Sequence, residues 1–149
     1  MFIDSHTHLY DSKLIADTNN IERAIKAGVT KMFIPNCNSE TIDSMLAITD
    51  RWKDNCFPTI GIHPCYVKED YLSELKTVNE WLEKKRFYAV GEIGIDLYWD
   101  KTTLEIQKIA FQRQIQLAKK YKLPINIHCR EAFDEIFEVL EMEKGEELF

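Results

Sequence analysis

The chain opens, after Met1, with Phe2-Ile3-Asp4-Ser5-His6-Thr7-His8-Leu9-Tyr10, a short apolar stretch that leads into two histidines one residue apart. Residues 2–5 are predicted to form a strand. On an extended chain, side chains at positions i and i+2 point to the same side, with Cα atoms about 6.5 to 7 Å apart. Two imidazoles at that spacing can converge on one metal ion about 2 Å from each nitrogen. On this motif alone, His6 and His8 could equally be ordinary polar residues at a strand end.

The remaining candidate ligands also fall where predicted strands end. The sequence has four histidines, and the other two, His63 and His128, each follow an apolar run. His63 precedes a proline and has a structural alternative. Glu92 lies in a glycine-flanked motif, and a carboxylate at the end of a buried strand needs a partner such as a cation. Together these positions predict a site for a divalent transition ion.

Strand and helix patterns alternate along the chain in five units. Predicted strands cover residues 2–5, 29–34, 56–62, 87–92 and 125–128, and residues 11–20 are predicted to be a loop. Helical apolar spacing follows each strand, near residues 21–27, 39–52, 72–82, 104–121 and 133–140. This alternation predicts a parallel sheet with right-handed crossovers.

Two architectures fit that pattern, an open doubly wound sheet and part of a (βα)₈ barrel. No Gly-x-Gly-x-x-Gly motif follows the first strand, which weakens the case for an open dinucleotide-binding sheet. The polar candidates lie at the carboxyl ends of the first, third, fourth and fifth strands. In a barrel those ends converge on one face, where barrel enzymes keep their catalytic groups. The sequence therefore favours an α/β protein of the TIM-barrel type.

Composition limits the class of protein. With 149 residues, the chain suits one domain with a real core, and its net charge of −6 argues against a broad basic face for duplex binding. Neither a signal peptide nor an apolar run of about 20 residues is visible, so no membrane association is expected. The four cysteines show no C-x-x-C spacing, which predicts reduced, mostly buried thiols in a cytoplasmic protein.

Four separated motifs carry a resemblance to a known family: Ser5-His6-Thr7-His8, Gly61-Ile62-His63-Pro64, Gly91-Glu92-Ile93-Gly94-Ile95-Asp96 and Ile127-His128-Cys129-Arg130. They resemble the motifs of TatD-type metal-dependent deoxyribonucleases, and the helix over residues 107–118 is similar as well. The resemblance runs from the first residue to about residue 145. It implies a (βα)₈ barrel that carries a divalent metal pair at its carboxyl face and hydrolyses phosphodiester bonds in DNA.

The resemblance also implies roles for individual residues. His6 and His8 would hold one ion, Glu92 would bridge two ions as a catalytic ligand, and His128 would hold the second. Two further catalytic residues, His63 and Arg130, would bind the scissile or neighbouring phosphate, and Asp96 would be a substrate-binding residue of open role. Arg130 has the alternative of a solvated arginine at a helix start. The implied cofactors are two ions of zinc, manganese or magnesium. The implied enzyme is a monomeric exonuclease acting on single-stranded DNA or 3′ ends.

The sequence departs from the family pattern in one respect. A (βα)₈ barrel needs about 250 residues, whereas about five of eight units are predicted here. The family also supplies another histidine after the sixth strand and an aspartate near the last one. We therefore expect residues 1–149 to form a single barrel domain truncated at its carboxyl end. Such a chain should hold at most one ion well, be marginally stable, self-associate, and be at least about a hundredfold weaker as a nuclease, from the loss of one metal and the base.

Two alternatives to the nuclease stay open at this point. One is a related barrel amidohydrolase acting on C–N bonds. Relatives of that kind bridge their metals with a modified lysine at the fourth strand, where this chain has Glu92. The other is a non-catalytic, metal-binding partial barrel.

Overall fold

The computed structural model describes residues 1–15 and 19–145. Five strands are present: β1 (Phe2–Asp4), β2 (Val29–Pro35), β3 (Cys56–Thr59), β4 (Val90–Asp96) and β5 (Ile125–Arg130). The helices are α1 (Ser12–Ile15), α2 (Asn20–Lys26), α3 (Ile42–Arg51), α4 (Tyr71–Lys84), α5 (Leu104–Tyr121) and α6 (Phe133–Met142). Short 3₁₀ turns occupy Ser39–Thr41 and Pro64–Tyr66.

All strand pairs are parallel, and the strands lie side by side in sequence order. One sheet contains β1, β2 and β3, the other contains β4 and β5, and a bridge between Ile60 and Val90 joins the two. The parallel sheet predicted from the alternation is therefore confirmed. Because every strand runs the same way, the carboxyl ends of all five meet on one face, and the loops that follow them surround it.

The core fills the space between the strands and the helices. The strand residues Ile34, Ile93 and Ile95 are fully buried, as are Ile60 and Ile62 directly after β3 and the helix residues Met45, Phe111 and Ile115. The helical side chains belong to the apolar stripes of α3 and α5, which turn one face towards the sheet. The stripe of α4 is narrower than predicted, since Leu72 is 64% exposed.

The fourth strand differs from its prediction. It starts at Val90 and runs through Asp96, so that Glu92 lies inside the strand and not at its end. The extension follows from pairing with β5, whose register joins Gly94 to His128 and Asp96 to Arg130. At Gly94 φ is +146°, and a Cβ there would lie 2.0 Å from the His128 carbonyl oxygen. Only glycine permits this approach of the two backbones.

Three smaller predictions are also wrong. The stretch 11–20, predicted as a loop, contains helix α1 over Ser12–Ile15, and its residues 16–18 lie outside the described part of the chain. Strand β5, predicted to end at residue 128, runs to Arg130 because its register pairs Arg130 with Asp96, so the alternative of a helix start at Arg130 does not hold. Of the four free cysteines only Cys56 is buried, because the other thiols lie on loops or at the carboxyl ends of strands.

Both outer strands of the described chain have one unpaired edge. Among residues 1–15 and 19–145, β1 pairs only with β2, and β5 pairs only with β4. Apolar side chains are exposed near these edges, with Phe2 at 67%, Phe133 at 68% and Phe137 at 58%. Within the same residues, no helix combines the length and apolar character needed to cross a membrane.

Candidate metal centre

The first part of the site is the loop that follows β1. The Asp4 carboxylate accepts the backbone N–H of His6 at 3.0 Å and so turns the chain after the strand. The Nε2 atoms of His6 and His8 then lie 3.0 Å apart. Their other nitrogens are held from outside, since His8 Nδ1 lies 2.9 Å from the Tyr10 hydroxyl and His6 Nδ1 lies 3.3 Å from the Asn126 amide nitrogen.

Glu92 faces these two imidazoles from β4. Its side chain is only 10% exposed. The Oε2 atom lies 3.1 Å from His6 Nε2 and 3.5 Å from His8 Nε2. These three atoms form the first group of candidate ligands.

The other oxygen of Glu92 faces a second group. Oε1 lies 2.8 Å from His128 Nδ1 and 3.6 Å from His63 Nε2, and those two nitrogens are 3.1 Å apart. Glu92 is thus shared, with one oxygen in each group.

Asp96 orients His128 within the second group. Its carboxylate is almost fully buried and accepts the His128 Nε2–H at 2.9 Å, while its other oxygen accepts the backbone N–H of Tyr98 at 3.0 Å. In the neutral ring this bond places the proton on Nε2 and turns the lone pair of Nδ1 towards Glu92, whereas a second proton on Nδ1 would be donated to the Glu92 carboxylate. Carboxylate–histidine pairs of this kind fix the tautomer of metal ligands.

His63 is held in the same tautomer as His128, but here the protonated nitrogen faces the centre. Its Nδ1 accepts the backbone N–H of Cys65 at 3.1 Å, in the 3₁₀ turn that begins at Pro64. Burial lowers the pKa of His63 to about 4, so the ring is neutral near pH 7 and carries its proton on Nε2. His63 therefore presents a hydrogen-bond donor to the centre, whereas a ligand would present a lone pair.

The charges at the site are strongly coupled. Burial opposes ionisation of Glu92, but hydrogen bonds from His128, His6 and His8 hold its pKa well below the usual range. Hydrogen bonds to Cys37 and then to Glu92 raise the pKa of His8 to about 10. Burial lowers the pKa of His128, and hydrogen bonds to Glu92 and Asp96 more than offset this, so it is raised. The site therefore stabilises a positive charge next to the Glu92 carboxylate.

The residues fit a divalent cation. Two ligands about 2.1 Å from one ion and about 90 to 110° apart are separated by roughly 3.0 to 3.4 Å. The first group has separations of 3.0, 3.1 and 3.5 Å. A lone pair of His128 and a carboxylate oxygen at 2.8 Å repel each other unless a proton or a cation lies between them. Imidazole and carboxylate donors together suit zinc or manganese.

Arg130 lies beside this centre but points at aromatic rings. Its guanidinium carbon is 3.6 Å from the centroid of Tyr98 and 5.4 Å from that of Trp99. Across residues 1–15 and 19–145 no carboxylate lies within ion-pair distance of it. Within the described residues, the Arg130 guanidinium therefore forms no ion pair.

The structure brings all five predicted ligand positions together on the carboxyl face, with Asp96 and Arg130 next to them. Sequence reasoning missed Tyr10 and Asn126, which contact the outer nitrogens of His8 and His6. The spacing of residues 6, 8 and 10 was a signal for Tyr10. Asn126 had no local signal, because its contact joins residues 120 positions apart.

The chain is similar to known proteins over most of its length. The sequence profile of the family described as TatD related DNase matches residues 3–148. The chain is 32% identical to the uncharacterized metal-dependent hydrolase YabD of Bacillus subtilis, over 98% of this chain and 57% of that protein. It is 34% identical to the 3′-5′ ssDNA/RNA exonuclease TatD of Pantoea ananatis, over 81% of this chain and 46% of that protein.

A solved structure agrees as well. The crystal structure of YjjV, a TatD homologue from Escherichia coli K12, superposes with a TM-score of 0.87 at 30% identity, covering 95% of this chain and 55% of that one. The predicted fold class, part of a (βα)₈ barrel, is confirmed. The chain spans about half the length of the curated relatives it matches. With its profile match and its shared fold, the chain belongs to the TatD related DNase family.

Proposed function

We propose that this chain carries the metal centre of a divalent-metal-dependent hydrolase that cleaves phosphodiester bonds of DNA. One observation carries the proposal: the two oxygens of Glu92 face two separate groups of imidazoles. A carboxylate can be shared between two ions because it has two oxygens, each with its own lone pairs. A relative named as a 3′-5′ ssDNA/RNA exonuclease supports the same chemistry.

In this proposal His6, His8 and Glu92 hold one ion, and Glu92 and His128 hold the second. Divalent ions at such a centre would polarise the phosphodiester and lower the pKa of water. Glu92 is the one ionised ligand in both groups. The second ion is therefore bound against the charge of the first, and we expect one tight and one weak site. The nitrogen-rich donor set favours zinc or manganese over magnesium.

His63 and Arg130 are proposed to hold the phosphate. The His63 Nε2–H can donate to a phosphate oxygen, since the Cys65 N–H occupies its other nitrogen. Arg130 offers a planar fork of donors that matches phosphate oxygens. Asp96 is proposed to position His128 instead of touching substrate, because it is 3% exposed and both its oxygens are bonded within the chain.

The substrate strand, the mode of cleavage, the oligomeric state and the cellular location are proposed from the family resemblance and from the cysteines. The proposed substrate is single-stranded DNA or a 3′ end, and the proposed mode of cleavage is exonucleolytic. The proposed active form is a monomer. The family resemblance implies all three. A cytoplasmic location is proposed because all four cysteines are free.

The test combines metal content with activity. Purified protein should retain divalent metal, and the His6→Ala/His8→Ala double variant should lose most of it. Cleavage of a labelled single-stranded oligonucleotide should depend on added Mn²⁺ or Zn²⁺. Unchanged metal content in the double variant would remove the centre from the proposal. Hydrolysis of an amide substrate without phosphodiesterase activity would instead support the amidohydrolase alternative, and metal binding without either activity would support the non-catalytic one.

A further inference from the structure

An exposed aromatic pair lies directly after the strand that carries Glu92 and Asp96. Tyr98 is 48% exposed and Trp99 is 71% exposed. Their rings meet edge to face, with centroids 4.7 Å apart, and the Arg130 guanidinium lies over Tyr98 at 3.6 Å. The described chain has no other tryptophan as exposed as Trp99. Exposed aromatic rings next to a phosphate-binding centre offer faces on which nucleobases can stack.

The pair is fixed to the metal centre through the backbone. The Asp96 carboxylate that accepts the His128 ring N–H also accepts the Tyr98 backbone N–H. The next contact, from the Leu97 N–H to the Arg130 carbonyl at 2.9 Å, joins the loop to the end of β5. The aromatic pair is therefore held at a set position beside the centre.

A cavity of about 290 Å³ is lined in part by Trp99. It lies between the loop after β4 and the segment that follows His63, and Asp96 forms part of its wall. Val67 and Ile106 give it apolar surface, Glu69 and Asp100 add carboxylates, and Lys68 adds one ammonium group. Its volume is near the lower end of the range for small-ligand pockets. Because carboxylates outnumber the one ammonium group, the wall is net acidic; it repels phosphate and can accept hydrogen bonds from amino groups.

We propose that Trp99 and this cavity form a subsite for one unstacked nucleobase of the substrate strand, next to the phosphate held at the metal centre. The inference rests on the proposed function. The base stacks on Trp99, the net acidic wall keeps the sugar-phosphate backbone outside, and Arg130, whose guanidinium lies over Tyr98, is available to contact that backbone. A base can enter only when it has left its stack, so the subsite selects single strands and frayed ends.

Binding in the presence of EDTA tests the subsite without hydrolysis. The ligands are a short labelled single-stranded oligonucleotide and a matched strand whose last few 3′ nucleotides lack bases. Stacking on an aromatic ring is worth roughly tenfold in affinity per base. Trp99→Ala should therefore weaken binding of the normal strand about tenfold and leave the abasic strand unchanged, whereas Trp99→Phe should keep most of the affinity. Phe2→Ala, which removes a similarly exposed ring at the opposite face, is the matched control.

Several results would overturn the subsite. One is that Trp99→Ala binds the normal strand with unchanged affinity. Another is that Trp99→Ala loses the same affinity for both strands. A third is that the unmodified protein binds neither strand. Cleavage of bis(p-nitrophenyl) phosphate, which has no base, reports on the proposed function separately. Retained cleavage with base-independent binding would reject the subsite alone. Base-dependent binding without cleavage of any phosphodiester would reject the proposed function and leave the subsite standing.

Discussion

Replacing Glu92 by glutamine should weaken both metal sites at once. The substitution keeps the size of the side chain but removes its charge and turns one of its two oxygens into an NH₂ group. The oxygens now lie 2.8 to 3.6 Å from four imidazole nitrogens, two on each side. One group therefore loses its oxygen ligand entirely, and the other keeps a neutral one.

The magnitude follows from Coulomb's law. A ligand oxygen lies about 2 to 3 Å from a bound ion. At that distance a unit negative charge stabilises a divalent ion by about 3 kcal/mol even at the dielectric constant of water. The Glu92 side chain is 10% exposed, so screening by water is weaker and this value is a lower bound. We expect Kd for the tight site to rise at least about a hundredfold.

Competition with a chelating dye, using Zn²⁺ and Mn²⁺, measures the change. Glu105→Gln, which removes an exposed carboxylate at the start of α5, is the matched control and should bind as the unmodified protein does. Turnover on single-stranded DNA should fall by orders of magnitude, and DNA binding much less. Metal affinity within about threefold of the unmodified protein would refute the shared ligand.

Three further predictions follow from the same contacts. Tyr10→Phe removes the hydroxyl 2.9 Å from His8 Nδ1 and should weaken metal binding about tenfold, as measured by the same competition, whereas Tyr88→Phe should have no effect. In EDTA, the raised pKa of His8, about 10, contributes stability that is complete below about pH 6.5 and lost as the pH rises towards 10. The melting temperature should therefore fall between about pH 6.5 and 9, and less so in His8→Gln; a flat profile would contradict the charge coupling. Finally, the exposed Phe133 and Phe137 and the unpaired edges should cause residues 1–149 to self-associate. Size-exclusion chromatography of Phe133→Ser/Phe137→Ser should shift towards the monomer, and a monodisperse unmodified protein would argue against it.

Much of the fold could be read from local patterns. Apolar runs and helical spacing predicted every strand and five of the six helices, because their periods are set by backbone geometry. The exceptions depended on neighbours. Strand β4 extends to Asp96 because β5 pairs with it and Gly94 lets the two backbones meet. Helix α1 is a single short helix with no buried residue, so it left no apolar stripe to find.

The candidate site divides in the same way. The residue types at the strand ends, His6, His8, His63 and His128 with Glu92, were sufficient to predict a metal centre, since few other constellations of these side chains have a structural reason. The sequence by itself therefore determined the family and the parallel alternating architecture, and it predicted which residues make up the candidate metal centre.

Only the tertiary structure decided the orientation, the hydrogen-bonding role and the burial of these side chains. It directs the two oxygens of Glu92 to different imidazoles, makes His63 a donor through Cys65, and buries Asp96 against His128. It also places Trp99 beside a cavity formed partly by residues from another loop. These relations join residues far apart in the chain, and their tautomers and distances are set by packing across strands, which no local pattern of residues encodes.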